Sequence, residues 1–495
     1  MKIKQLINIL NPGHYPRLRD FEVRGISCDS RTVKDNFVFV AIKGIRQDGN
    51  KFIEEAIQNG ARAVIIQSPR HRACLPSGKA TASPGKVPFI RVKDTRKALA
   101  KLATEFYGDP SSKIKVIGIT GTNGKTTITY LLEALLKKAG FSTAVIGTIN
   151  YRFKNKIITS KNTTPGPLEL QSMLAEARDS SIDYMIVEVS SHALHQNRTD
   201  GITFHSAIFT NLTQDHLDYH RTMENYFRIK SGLFRSLDPG AFAVINNDDR
   251  YGRRIKKLTR SGVITYGIEN KADVTASDIK YDISHTEFNL LSPGGETRFI
   301  SRLIGMHNIY NILATAAWAL KEGITLSAVK SAIENFSLVP GRLQRIDSGR
   351  DFSIFVDYAH TEDALRNILK TLRQLSAKRI IVVFGCGGER DKTKRPKMGY
   401  TATELSDYAI ITSDNPRSED PLEIIADIKR GIKKNNYCVI PQRIAAIKKS
   451  LSLAGRGDII LVAGKGHENY QILKNKTIHF DDREVIRECL QSMNY

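Results

Sequence analysis

Val116-Ile-Gly-Ile-Thr-Gly-Thr-Asn-Gly-Lys-Thr-Thr127 carries an apolar stretch straight into a glycine-rich turn that ends in Lys125-Thr126. Gly121 and Gly124 open backbone conformations closed to other residues, so successive amides can point at phosphate oxygens from the start of the following helix. Lys125 adds a point charge for the terminal phosphates and the Thr126 hydroxyl is a ligand for Mg²⁺. The common P-loop spacing asks for glycine at position 119, which is Ile119 here, so the loop is a shortened variant. Ile128, Leu131, Leu132, Leu135 and Leu136 then recur at helical spacing until Gly140 closes the helix. A strand, a phosphate-type turn and a helix in this order set the fold class as α/β.

At 495 residues the chain exceeds what one hydrophobic core usually serves, and two or three domains are expected. The five cysteines, Cys28, Cys74, Cys386, Cys438 and Cys489, are scattered and show no paired ligand spacing. Reduced thiols and a cytoplasmic location follow from that pattern. Asn11-Pro12 interrupts the apolar N-terminus before a secretory segment forms, and no apolar run is long enough to span a bilayer. The net charge of +23 raises the question of nucleic acid. The cations, however, come as short pairs such as Lys137-Lys138, Arg253-Arg254 and Lys448-Lys449 with little aromatic interleaving. A solvated basic surface, with no nucleic-acid or membrane partner, is the expectation.

Three stretches of strand-helix alternation divide the chain. Residues 1–110 hold short strands, Phe37–Ile42 and Ala63–Ile66, around a helix covering Phe52, Ile53, Ala56 and Ile57, with a surface loop expected from Pro69 to Pro88. Residues 111–338 hold buried-type strands at Val116–Ile119, Tyr184–Val189, Ala207–Thr210 and Ala243–Ile245, the pattern of a largely parallel sheet wrapped by helices. After Pro340-Gly341, strands at Ile354–Val356, Ile380–Phe384, Tyr408–Thr412 and Ile459–Ala463 predict a Rossmann-like domain over 339–495.

Glu188 ends a predicted strand at the carboxyl edge of the central sheet, where a carboxylate can hold Mg²⁺ against ATP. His216 follows another such strand. Taken singly, each is more often a hydrogen-bonded or solvated side chain. Read together with Asn162-Thr-Thr-Pro165, Glu188-Val-Ser-Ser-His-Ala-Leu194, Asp215-His-Leu-Asp-Tyr-His220, Gly305-Met-His-Asn308 and Asp357-Tyr-Ala-His360, the loop makes the chain resemble the Mur ligase family over essentially its whole length. It is most similar to the branch that adds the third residue of the peptidoglycan stem peptide.

The resemblance implies ATP and Mg²⁺ as co-substrate and cofactor, with Gly121, Thr122, Asn123, Gly124, Lys125, Thr126 and Thr127 around the phosphates. It also implies His216 as a second Mg²⁺ ligand and Lys230 as a carbamylated, metal-bridging lysine. A buried lysine with a depressed pKa suits that chemistry, although the residues alone, without the resemblance, favour a snorkelling lysine on an amphipathic helix. Asn308 and Asp357 resemble adenine and ribose contacts, and Arg342 a phosphate contact. Ser30, in Asp29-Ser-Arg31, falls on the uridine side of the nucleotide-sugar substrate. Thr163, Thr164, Ser190, Gln196 and Arg198 fall along the muramoyl-dipeptide of UDP-N-acetylmuramoyl-L-Ala-D-Glu. Ile45-Arg-Gln47, near the expected uridine contacts, is not diagnostic.

Asp414-Asn415-Pro416-Arg417 reads as a proline turn by composition. In the resembled family it accompanies meso-diaminopimelate, with Arg390, Gly464 and Glu468. Arg390 and Arg417 offer planar forks for carboxylates, and Glu468 a partner for the distal ammonium. Lysine lacks that distal carboxylate, so a site that pairs it should reject lysine. The implied activity is an ATP-dependent amide ligation through an acyl phosphate, by a monomer acting on small molecules. The alternatives are the same reaction with L-lysine, the more distant folylpolyglutamate synthase, and a catalytically silent nucleotide-binding homologue.

Overall fold

The computed structural model describes residues 1–10, 20–44, 47–68, 87–153, 156–375 and 377–492. The Asn11-Pro12 break, Cys74, Ile45, Arg46 and most of the Pro69–Pro88 loop lie outside the described residues. Cys28, Cys386, Cys438 and Cys489 are free thiols. Among the described residues no helix is long and apolar enough to cross a membrane.

Each expected stretch of alternation builds its own sheet. Four parallel strands, Gly25–Ser27, Phe37–Val40, Ala61–Gln67 and Phe89–Val92, form the first. The central sheet has eight strands in the order Gly262–Tyr266, Phe242–Asn246, Ser206–Phe209, Lys115–Thr120, Tyr184–Glu188, Thr143–Ile146, Asn150–Phe153, Lys156–Thr159. The first six are parallel and the last two turn back as an antiparallel extension. The third sheet runs Gln344–Ile346, Ser353–Asp357, Ile459–Ala463, Ile380–Phe384, Tyr408–Ile411, Tyr437–Val439, parallel except for its first strand.

The fold class is the expected α/β, and the central strands are apolar on both faces because helices cover both. Strand Lys115–Thr120 sits where the chain order reverses: later strands pair first on one side of it and then, with Ser206–Phe209, on the other. Such a reversal opens a crevice at the carboxyl ends of the strands. The phosphate-type loop leaves the sheet there. A three-stranded antiparallel sheet, Thr275–Tyr281, Thr286–Ser292 and Gly295–Ser301, was not anticipated. Its alternating polar and apolar residues bury Phe288, Leu290 and Phe299 against helix Met306–Glu322.

The opposite edge of the central sheet is tied down by Glu322, in the last turn of that helix. Its carboxylate accepts from Lys115 Nζ at 2.6 Å and Tyr184 OH at 2.8 Å, and lies 2.6 Å from His205 Nε2. Burial pushes Glu322 up, but hydrogen bonds from His205, Lys115 and Tyr184 outweigh it and hold the group at about 2 against an ordinary 4.5. A depressed carboxylate pKa contributes stability that is present above the unfolded value and is lost as pH falls through the folded one. Glu322→Gln is therefore expected to be less stable than the wild type at pH 7 in urea unfolding, with the difference closing as pH falls from 4.5 toward 2. A pH-independent difference would assign the effect to packing.

Candidate active site

The loop Gly121–Gly124 lies directly on the end of the neighbouring strand. A Cβ on Gly121, whose φ is +150°, would meet Thr210 Oγ1 at 1.8 Å, and one on Gly124, φ +89°, would meet Asn311 Oδ1 at 2.5 Å. Only glycine fits either place. Thr210 Oγ1 donates to Asn123 O at 2.6 Å, while the amides of Thr122 and Asn123 donate to Asn211 at 2.8 and 3.0 Å. The loop thus spends two of its amides on its own seating. Those of the first turn of helix Lys125–Lys138 precede the first helical bond, Ile128 N–H to Gly124 O at 3.0 Å, and form the anion-facing end of the helix.

Lys125 Nζ donates to Gly121 O and Thr122 O at 3.0 and 2.8 Å. Burial lowers its pKa, which Glu188 and Asp215 partly counter. Glu188, fully buried, accepts from Thr126 Oγ1 at 3.2 Å and Thr148 Oγ1 at 2.8 Å, and from the Thr148 amide at 3.0 Å. Thr148 follows strand Thr143–Ile146 and was not singled out from the sequence. The signal was Gly147, where a Cβ would lie 2.6 Å from Glu188 Oε1.

Lys230 stands on the buried face of its helix. Helix Met223–Arg235, capped by Thr222, buries Tyr226, Phe227, Leu233 and Phe234, and Lys230 falls three or four residues from each, on the same face. It is 1% exposed and does not snorkel. Its Nζ donates to Gly121 O at 2.8 Å and Thr120 Oγ1 at 3.3 Å. Burial, with Lys125 nearby, drives its pKa well below the usual lysine value, which favours the neutral amine.

His216 is held in the left-handed region at φ +54°, its amide donating to Asp215 Oδ1 at 2.9 Å. Burial would raise Asp215, but His216, His360, Lys394 and Lys125 hold it well below the carboxylate range. His192 packs on His216 with ring centroids 4.8 Å apart; burial and the other histidines push it down to about 3. Neutral imidazoles are the metal-binding form.

Among the described residues no three His, Cys, Asp or Glu side chains gather as a metal cluster. The donors present, a threonine hydroxyl bonded to a buried carboxylate beside an anion-binding helix end, fit Mg²⁺, which takes one or two protein ligands and completes its shell with phosphate oxygens and water.

Around this centre lies one cleft of about 1350 Å³. On one side Thr164 Oγ1 donates to Glu188 O at 2.6 Å, Arg198 Nη1 donates to Thr164 O at 2.8 Å, and Gln196 Oε1 accepts from Arg198. Thr163 and Ser190 line the same wall. Asn308 is buried and donates to Ile304 O at 2.9 Å, and Arg342 Nη2 reaches Thr126 Oγ1 at 3.2 Å. Asp357 accepts backbone amides on both oxygens, from Leu343 at 2.5 Å and Ala359 at 2.6 Å, yet burial still lifts it to about 6.

Across the cleft, Arg390 and Arg417 face it together with Asp414, Asn415, Gly464 and Glu468. Burial and the neighbouring Arg390 both lower the Arg417 pKa, the mark of two cations side by side. Gly464 at φ +114° lets the chain pass Asp414, whose Oδ2 a Cβ would approach to 2.6 Å. Pro416 and Gln196 do not line the cleft, and neither does Ser30. Ser30 sits with the first sheet, its hydroxyl donating to Glu55 at 2.8 Å.

Asp363 carries no motif and was missed. From the first turn of helix Glu362–Gln374 its Oδ2 accepts from Asn123 Nδ2 at 3.0 Å and Thr213 Oγ1 at 3.2 Å, linking the phosphate loop to the third sheet's layer. Asp363→Ala should weaken ATP binding roughly tenfold by calorimetry, the value of one hydrogen bond to a charged group, with the melting temperature little changed. Unchanged affinity would remove Asp363 from the site.

Family models match three consecutive stretches: "Mur ligase family, catalytic domain" at residues 22–107, "Mur ligase middle domain" at 119–319 and "Mur ligase, glutamate ligase domain" at 341–466. The chain is 42% identical to the UDP-N-acetylmuramoyl-L-alanyl-D-glutamate--2,6-diaminopimelate ligase of Clostridium tetani, over 100% of both chains. It is 45% identical to the enzyme of the same name from Clostridium botulinum, over 95% of this chain and 96% of that one. A solved structure under that enzyme name superposes with a TM-score of 0.68 at 33% identity, covering 100% of this chain and 99% of the other.

Proposed function

Since the chain belongs to the Mur ligase family, we propose that it is the ATP-dependent ligase that joins meso-diaminopimelate to the D-glutamyl γ-carboxylate of UDP-N-acetylmuramoyl-L-Ala-D-Glu. Full-length similarity to enzymes of that name supports the reaction. The observation that carries the amine's identity is the pair Arg390 and Arg417, set beside Asn415 and Glu468 in the cleft onto which the phosphate loop opens.

The γ-phosphoryl group of ATP passes to the glutamyl carboxylate, giving an acyl phosphate and ADP. The amine then attacks the carbonyl carbon and phosphate leaves. Lys125 and the amides at the start of helix Lys125–Lys138 hold the phosphates, and Arg342 stands beside Thr126 to meet the transferring group. Mg²⁺, when bound, neutralises charge on that group, with Thr126, Glu188, His216 and Lys230 as its protein side. Asn308 and Asp357 hold the nucleoside. Thr163, Thr164, Ser190 and Arg198, the last held by Gln196, lie along the muramoyl-dipeptide, and Ser30 serves the uridine end.

The burial of Lys230 supports a carbamate there: the neutral amine adds to CO₂, forming an N–C bond and releasing a proton, and the side chain becomes an anion that a metal can share. On this reading residues 1–110 bind the uridine diphosphate, 111–338 ATP, and 339–495 the incoming amino acid. The protein works as a cytoplasmic monomer.

ADP release with ATP, Mg²⁺ and the UDP-muramoyl dipeptide should require meso-diaminopimelate. Release with L-lysine at a comparable rate would refute the role of Arg417, and none with either amine would favour the silent homologue. Depletion of CO₂ and bicarbonate should lower activity at least several-fold, with recovery on adding bicarbonate and no such response in Lys230→Arg. Indifference of the wild type to bicarbonate would refute the carbamate.

A further inference from the structure

Glu468 and Asn415 share a neighbour that lies outside every set named so far. Lys465 is wholly buried, and its Nζ donates to Tyr470 O at 2.5 Å while standing 3.5 Å from both Asn415 Oδ1 and Glu468 Oε2. Asn415 closes the triangle, donating from Nδ2 to the same Glu468 oxygen at 2.7 Å. The Ile472 amide donates to Asn415 Oδ1 at 2.9 Å, which leaves Nδ2 no choice but to face Glu468. The ammonium lies over the rings of Tyr470 and Phe480, 5.6 and 5.9 Å from their centroids, and has no path to solvent.

We propose that Lys465 is a positioning residue for the incoming amine: it orients Asn415 and holds the Glu468 carboxylate ionised and aimed into the cleft. The inference rests on the amine site assigned above and adds how that site keeps its acceptor charged. Glu468 is buried beside Asp414, and both facts favour its neutral form; Lys465 is the cation that opposes them. A neutral Glu468 would lose most of its attraction for an ammonium. The charged and titratable groups facing Glu468 are Asp414, Lys465, Arg417, Arg443, Tyr358 and Tyr470. Arg443 is already taken by Asp482, to which it is bidentate at 2.7 and 2.8 Å.

The test compares steady-state kinetics of the wild type with Lys465→Met, Lys465→Gln and Lys465→Arg, alone and combined with Glu468→Gln. The expected result is a KM for diaminopimelate raised about tenfold or more in the Met and Gln variants, with the KM values for ATP and the UDP-muramoyl dipeptide within about twofold. Lys465→Arg should recover part of the loss. The acid limb of the diaminopimelate KM should move to higher pH in Lys465→Met, because Glu468 then holds its proton longer. Combined with Glu468→Gln, the substitution should add little.

An unmoved amine KM, an equal rise in all three KM values, or full additivity with Glu468→Gln overturns the proposal. So does failure of both neutral variants to fold, which would make Lys465 a stability residue. Wild-type protein inactive with diaminopimelate would instead sink the assigned reaction, an outcome visible before any variant is made.

Discussion

Gly121 touches Thr210 so closely that no side chain can stand between them, and the geometry of the cleft follows from that contact. It requires two adjacent parallel strands, Lys115–Thr120 and Ser206–Phe209, to end at the same level, so that the loop leaving one rests on the end of the other. Asn211 then takes the amides of Thr122 and Asn123, and helix Lys125–Lys138 starts with its remaining amides aimed outward. Lys230 reaches Gly121 O from behind, and Asp363 reaches Asn123 from the third layer. A displaced loop would unmake each of these bonds.

The electrostatics of the cleft are organised around anions that the substrates bring. Lys125, Arg342, Lys394, Arg390 and Arg417 all line it. Desolvation already weighs against charge on Lys125 and Arg417. Phosphates and carboxylates relieve that imbalance. The acidic groups nearby are more fully engaged: Glu188 by two threonines, and Asp357 by two backbone amides. Arrays of this kind act by preorganisation, since their dipoles and charges are in place before charge develops on the substrate.

The phosphate loop was legible in the sequence because its requirements are local: two glycines, a lysine and a threonine in fixed order between a strand and a helix. The parallel strands were legible from their apolar runs, and the free cysteines from their spacing. The antiparallel sheet over Thr275–Ser301 was not, because its half-polar alternation also suits exposed loops and only the neighbouring helices, Met306–Glu322 and Leu326–Glu334, give its apolar side a place to pack. Thr148 and Asp363 were missed for a related reason, as single polar residues whose meaning lies in partners 40 and 240 positions away.

What the sequence by itself determined was the α/β class, the position of the phosphate cradle and the family to which its scattered motifs belong, because each is written in residues adjacent along the chain. The tertiary structure alone decided that Lys230 is buried rather than snorkelling, that Asn123 is shared between two layers, that Ser30 stands apart from the cleft, and that Lys465 sits under Glu468. Burial and long-range charge pairing are properties of packed surfaces. No periodicity along the chain encodes which two surfaces meet.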